Sequence, residues 1–208
     1  MLQIIPALLV AITVVIQCLA VQMSRYRLSR MNARPPHHGL ALMSGMLAAA
    51  AIILRLYQND SAVGVLFMTI MTGCMTLMTL TDAASCRLPR PFTIIYLISG
   101  SAFRLWQGDW LTGLCSAGFW FLLLLLFRQY TSYRRKTETI GLGDVFLIAG
   151  IAIWSPPGDI PWIVATAAGG ALLYLWCNRQ RRITRELPFG PFLCASQYAF
   201  TFYPGGLW

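Results

Sequence analysis

The chain has 208 residues, of which 57% are hydrophobic and 11% charged. A soluble domain carries about 25% charged residues, and a disordered chain is poor in apolar side chains, so both classes are excluded. The formal charge of +9 does not point to nucleic acid. The basic residues sit in short clusters between long apolar runs, so the expected partner is a lipid bilayer.

A membrane helix needs about 20 mostly apolar residues. In chain order the candidate spans are Leu2–Val21, Gly39–Leu56, Ala62–Leu80, Phe92–Leu105, Trp110–Phe127, Gly143–Trp154, Ile160–Cys177 and Pro191–Tyr203. Eight such spans would occupy about 160 residues and leave only connecting loops. The expectation is an all-α polytopic membrane protein with about eight transmembrane helices, residues 1–208 forming a single membrane-embedded domain. The first run lacks a basic leader, its arginines following it, so it reads as a retained span and not as a cleaved signal peptide. Bulky Gln17 before Cys18 also argues against a lipoprotein signal. Arg34-Pro35-Pro36-His37-His38 reads as a stiff loop between the first two spans.

Cytoplasmic loops of membrane proteins are enriched in Lys and Arg. With the N-terminus outside and all eight runs crossing, the inside holds fourteen of the sixteen basic residues, and the outside keeps only Arg55 and Arg104. That split supports both span count and orientation. The six cysteines, Cys18, Cys74, Cys86, Cys115, Cys177 and Cys194, form no CxxC pair. Most fall inside spans, where a small buried thiol is the expected role. No metal site and no cofactor are expected.

Seven acidic residues can each be placed. Asp60, Asp109 and Asp159 fall in short outside loops and read as turn residues. Asp82, Glu138, Asp144 and Glu186 fall inside. Asp82 ends the third span and Asp144 opens the sixth, in Gly141-Leu142-Gly143-Asp144. Ionisable groups at membrane depth are rare and usually functional. Each aspartate adjoins a short span: Phe92–Leu105 is about 21 Å long and Gly143–Trp154 about 18 Å, at 1.5 Å per residue, against a hydrocarbon core of about 30 Å. The expectation is a recess open to the inside, lined by irregular backbone.

Glycine permits close backbone approach and turns that other residues resist, and an aspartate at a helix start faces the positive end of the helix dipole. Two aspartates brought close cannot both ionise easily, so one keeps its proton. The ionised member then takes a proton from water, which attacks a peptide carbonyl, while the protonated member polarises the carbonyl oxygen and helps the amine leave. Two other readings stay open: Asp82 and Asp144 as separate interfacial helix caps, and the same pair serving a proton-coupled transporter.

Gly141-Leu142-Gly143-Asp144 matches the GxGD motif of membrane-embedded aspartic proteases. Glu186-Leu187-Pro188-Phe189-Gly190-Pro191 resembles the Pro-Phe-Gly-Pro signature that precedes the last span of type IV prepilin peptidases. Asp82, followed by Arg87-Leu88-Pro89 and Thr93, resembles the first-aspartate motif of that family. The resemblance covers roughly Ala62 to Tyr203. It implies a hydrolase of the inner membrane that removes the short basic leader of type IV prepilins or pseudopilins, after a glycine, at the cytoplasmic face. By motif position it implies Asp82 and Asp144 as the catalytic pair, Gly141 and Gly143 as shaping the second aspartate's loop, and Pro188, Phe189, Gly190 and Pro191 as packing near it. A helix-start kink is the alternative role for the last four. Glu138 and Glu186 are candidates to meet the basic leader, with ion pairing to neighbouring arginines as the alternative.

Two departures stand out. Many full-length members carry, between the first two spans, an insert with two zinc-binding CxxC pairs that accompanies N-methylation of the product. Here the corresponding loop, Gln22–His38, has no cysteine, so the chain resembles a short form in which methylation is not expected. Phe146 also stands where the family often has a lysine. Presenilin-type GxGD proteases fit less well, because Thr81 precedes Asp82 and Pro188-Phe189-Gly190 stands where Pro-Ala-Leu is wanted. Archaeal preflagellin peptidases are a nearer alternative. A transporter should show pseudo-symmetry between halves, and none is visible.

Overall fold

The computed structural model describes residues 4–31, 33, 38–57, 61–135, 141–177 and 187–202. Among these residues the chain forms eight α-helices and no strands: α1 (Ile4–Arg30), α2 (His38–Tyr57), α3 (Ala62–Ser85), α4 (Arg90–Gln107), α5 (Trp110–Arg135), α6 (Leu142–Trp154), α7 (Ile160–Cys177) and α8 (Gly190–Thr201). Each expected span contains one helix. The helices α1, α2, α3, α5 and α7 are long and apolar enough to cross a membrane. Large apolar side chains such as Val14, Leu19, Leu122, Leu126, Leu172 and Trp176 point outward from α1, α5 and α7, as a lipid-facing surface requires. This is a polytopic membrane protein.

The differences from the sequence reading lie at helix ends. α1 runs past Val21 to Arg30, and α5 past Phe127 to Arg135. Backbone hydrogen bonding continues where apolarity stops, and the terminal arginines lie near the negative end of the helix dipole. α3 likewise passes Leu80, so Asp82 sits within its last turn and not beyond it.

α3 is the central helix, packed against α1, α2, α4 and α8. Every residue from Met71 to Asp82 is buried. Its threonines tie helices together: Thr69 hydrogen-bonds Thr13 of α1 at 3.1 Å, and Gln17 of α1 donates to Thr72 at 3.1 Å. Between apolar helices, such polar contacts hold neighbours in register. α4 and the short helix α8 pack directly on α3, and the short helix α6 packs beside them on α4, α5 and α8. α4 suits this position because Thr93, Tyr96, Gly100, Phe103 and Arg104 form a buried stripe, while Ile94, Ile95 and Ile98 face outward.

The cysteines divide. Cys74 and Cys194 are buried, but Cys18, Cys115 and Cys177 are exposed, which corrects the expectation that span cysteines are buried. These three lie on the outward faces of their helices, where a thiol meets lipid instead of core. Arg55 and Arg104, the two basic residues assigned outside, are buried within the last turns of α2 and α4.

Candidate active site

Three segments far apart in sequence meet at one end of the helix bundle. The first is the α3–α4 corner. Cys86 adopts a left-handed conformation (φ 50°), and its amide bonds to the Asp82 carbonyl at 2.7 Å, ending α3. Pro89 precedes α4 and Pro91 occupies its first turn, where a missing N–H leaves no gap in the helix. The corner is therefore tight, and Asp82 is held one turn before it, only 4% exposed.

The second segment is the start of α8. Phe189 precedes the helix, and its carbonyl accepts from the Phe192 and Leu193 amides at 3.1 and 3.2 Å. Gly190, the first helical residue, donates its backbone N–H to Asp82 Oδ2 at 2.9 Å. The first amides of a helix have no intrahelical acceptor, and a carboxylate there is favoured by the helix dipole. A Cβ at position 190 would lie 2.7 Å from Asp82 Oδ2, so the contact requires glycine. Pro188 and Phe189 are half-buried beside it. Behind the contact, Tyr96 donates to Gln197 Oε1 of α8 at 2.6 Å, and Tyr198 donates to the Thr72 carbonyl at 3.2 Å. These bonds fix α8 against α3 and α4.

The third segment is the Gly-Leu-Gly-Asp turn. Gly141 precedes α6, and its carbonyl accepts from the Asp144 and Val145 amides at 3.1 and 3.3 Å. A Cβ at Gly141 would come within 3.2 Å of Asp144 Oδ2. A Cβ at Gly143 would lie 2.9 Å from the Cβ of Leu88, so this glycine seats the start of α6 directly on the α3–α4 corner. Asp144, the residue after Gly143, is half-buried and more open than Asp82. Phe146 packs its ring on Phe121 of α5 with centroids 5.3 Å apart.

Arg27 at the end of α1 lies 5.2 Å over the Phe92 ring at the start of α4, so α1's terminal basic cluster lies at the aspartate end of the bundle. A cleft of about 440 Å³ along α5, lined by Arg128, Gln129, Ser132, Tyr133 and Leu142, borders the Gly-Leu-Gly-Asp turn. Another of about 500 Å³ lies between α5 and the α6–α7 connection. Neither is lined by Asp82 or Asp144, so the expected recess is not among these clefts. Glu138 and Glu186 lie outside the described residues.

The type IV leader peptidase family model matches residues 69–176, a stretch that holds Asp82, Leu88 and the Gly-Leu-Gly-Asp turn. Two proteins of Burkholderia pseudomallei, from strains 1026b and K96243, are each named prepilin leader peptidase/N-methyltransferase. Both are 33% identical to this chain over 175 residues, covering 79% of it and 53% of their own length. The chain belongs to the type IV leader peptidase family. It spans about half the length of the curated relatives it matches, and no solved structure matches it. For this leader peptidase family member, the motifs noted at Asp82, Asp144 and Gly190 are the same residues that converge in space.

Two features, one at the site and one at the opposite end of α6, escaped sequence reasoning. One is Leu88, which motif order flagged but whose direct seat on Gly143 only the fold reveals. The other is Arg104, which charge counting assigned to the outside. Beyond that assignment, its Nε and Nη2 donate to the carbonyls of Ile153 and Ser155, at 2.8 and 3.0 Å, at the far end of α6. An arginine within an otherwise apolar run was the available signal.

Proposed function

We propose that this chain is an aspartic endopeptidase that removes the basic leader from type IV prepilins or pseudopilins. On this reading it lies in the inner membrane with its N-terminus outside, and the cut falls after a glycine at the cytoplasmic face. Asp82 and Asp144 activate one water between them. The observation that carries this reading is the meeting of the Asp82 carboxylate with the Gly190 amide, with Gly143, next to Asp144, seated on Leu88 of the corner that follows Asp82. Family membership supports the substrate class.

The two carboxylates stand in different settings, and this suits the chemistry. Asp82 is buried and held by a fixed amide, so it is pre-oriented and loses little freedom on reaching the transition state. Asp144 is more open, at the first turn of α6, where water can reach it. One carboxylate takes a proton from the attacking water and later passes it to the departing amine, while the other donates its proton to the carbonyl oxygen and recovers it as the tetrahedral intermediate collapses. The pair titrates as a unit with two shared macroscopic values. We assign peptidase chemistry alone, because the stretch from Gln22 to His38 lacks the cysteines expected of a methylating form.

The test is co-expression of a type IV prepilin with wild type, Asp82→Asn or Asp144→Asn, with precursor and product followed by mass spectrometry. Cleavage after the leader glycine by wild type, lost in both variants, is the expected result. Retained cleavage in either variant would end the two-aspartate mechanism. Absence of cleavage by well-expressed wild type would favour proton-coupled transport through the same aspartates.

A further inference from the structure

α6 is short and is clamped to α4 along its length. Its 13 residues span about 20 Å at 1.5 Å per residue, less than the roughly 30 Å hydrocarbon core. At its start, Gly143 sits on Leu88 just ahead of α4. In its middle, a Cβ at Gly150 would lie 2.6 Å from the Tyr96 ring, so the two helices nearly touch there. Near its end, Ile153 and Trp154 press on Gly100, and the Trp154 indole donates to the Tyr96 carbonyl at 3.0 Å.

Arg104 completes the clamp. The last carbonyls of a helix have no intrahelical donor, and at membrane depth no bulk water replaces one. Arg104 is 7% exposed. Its Nε donates to Ile153 O at 2.8 Å, its Nη2 to Ser155 O at 3.0 Å, and its Nη1 to Asp109 Oδ2 at 3.4 Å. The fork of donors that a guanidinium offers, and an ammonium does not, is thus divided among three acceptors. Gly113 of α5 makes the room, since a Cβ there would lie 2.9 Å from Arg104 Cγ. Asp109 reaches the guanidinium because Gly108, at φ 83°, turns the chain sharply after α4. A cation on this side runs against the basic bias of the inner loops, so a local role must hold it there.

We propose that Arg104 is a positioning residue: by binding the terminal carbonyls of α6 it sets that helix's position along α4, and so the placement of Asp144 against Asp82. This inference rests on the proposed peptidase reading, and its structural half is testable without activity. A rigid helix clamped at both ends transmits a shift at residues 153–155 to its first turn. Asp109 serves only to complete the guanidinium's third direction.

The test compares Arg104→Met, Arg104→Lys and Asp109→Asn in the full-length membrane-embedded protein, using purified prepilin for kinetics. Gly73→Ala serves as control, because its Cβ would meet Ile16 at 2.7 Å, at the α1–α3 contact. A displacement of about 1 Å can lower a rate about 100-fold. Arg104→Met should therefore lose kcat by about that factor with KM little changed, Arg104→Lys should recover part of it, and Asp109→Asn should stay near wild type. Gly73→Ala should lower the melting temperature without changing kcat. Separately, spin labels at Ala83 and Leu142, in a background without other accessible cysteines, report the separation of the two aspartate-bearing turns. That distance should shift or broaden in Arg104→Met and not in Gly73→Ala.

An unchanged distance with unchanged kcat in Arg104→Met would overturn the proposal, as would equal loss of kcat in Gly73→Ala. If Arg104→Met does not accumulate, Arg104→Lys and Gly113→Ala, which crowds the guanidinium stem, carry the same test. If wild type cleaves no prepilin, the peptidase reading fails, while the label distances still decide whether Arg104 positions α6.

Discussion

The carboxylate of Asp82 accepts a hydrogen bond from the backbone amide of Gly190, 2.9 Å away and 108 positions along the chain. The bond joins the last turn of α3 to the first turn of α8 and leaves no space for a side chain at residue 190. Gly190→Ala must displace either the carboxylate or the start of α8. Crowding a packed site costs about 1–3 kcal/mol, and each 1.4 kcal/mol lost from a transition state is about tenfold in rate. Leader cleavage should fall about tenfold or more while the protein still accumulates in membranes, as measured by single-turnover cleavage of purified prepilin.

The same bond separates folding from chemistry at position 82. An asparagine oxygen can still accept from the Gly190 amide, whereas alanine leaves that buried donor unpaired, at a cost of about 1–3 kcal/mol. Asp82→Asn should melt near wild type, and Asp82→Ala should melt lower, with both inactive in the cleavage assay. Thermal unfolding in detergent followed by tryptophan fluorescence distinguishes them. Equal melting temperatures for the two would show that the Gly190 bond contributes nothing to stability.

Gly150 faces the Cδ1–Cε1 edge of the Tyr96 ring, and its Cβ would lie 2.6 Å from that ring. Tyr96 is fully buried and has no open direction in which to retreat. Gly150→Ala should lower stability by about 1–3 kcal/mol, a drop of about 2–4 °C per kcal/mol for a chain of this size. The same thermal scan measures it.

Two buried polar contacts should respond in opposite ways. Gln17 donates to Thr72, but its own Oε1 is buried without a hydrogen-bond partner among the described residues, and Thr72 already donates to the Thr69 carbonyl. Gln17→Leu removes a weak interhelical bond, about 0.6 kcal/mol on average between membrane helices, together with an unsatisfied oxygen. It should leave stability within about 1 kcal/mol of wild type. Tyr96→Phe instead strips Gln197 Oε1 of its donor at 2.6 Å and should cost about 1–3 kcal/mol. A chemical-denaturation series on the two variants compares these shifts directly.

Much of this architecture was legible in the sequence because each apolar run is a helix, and the motifs at Asp82, Gly141–Asp144 and Pro188–Pro191 mark the ends that meet. Which helix lies at the centre was not legible. A residue facing lipid and one facing the core are both apolar, so α3 resembles α7 in composition although one is enclosed and the other largely exposed. The threonines of α3 were the available hint, since repeated hydroxyls in an apolar run need partners. The partners of Arg104 were hidden for a related reason. Charge counting assigned this arginine a side of the membrane, and only the fold shows its guanidinium turned inward to helix carbonyls. The seat of Gly143 on Leu88 depends on how two helices cross, which no spacing within either segment encodes.

The dependence of Asp82 on Gly190 also orders events in time. Both aspartates are synthesised, and their helices can enter the membrane, before α8 exists. Until that helix arrives, Asp82 lacks the amide that fixes its oxygen, and the α3–α4 corner lacks one wall. A nascent chain halted after α7 would carry both carboxylates without the contact that orients the first of them. The proposed proteolytic machinery is therefore completed only when α8, the last of the described helices, is made, so that a chain halted before it lacks the oriented pair.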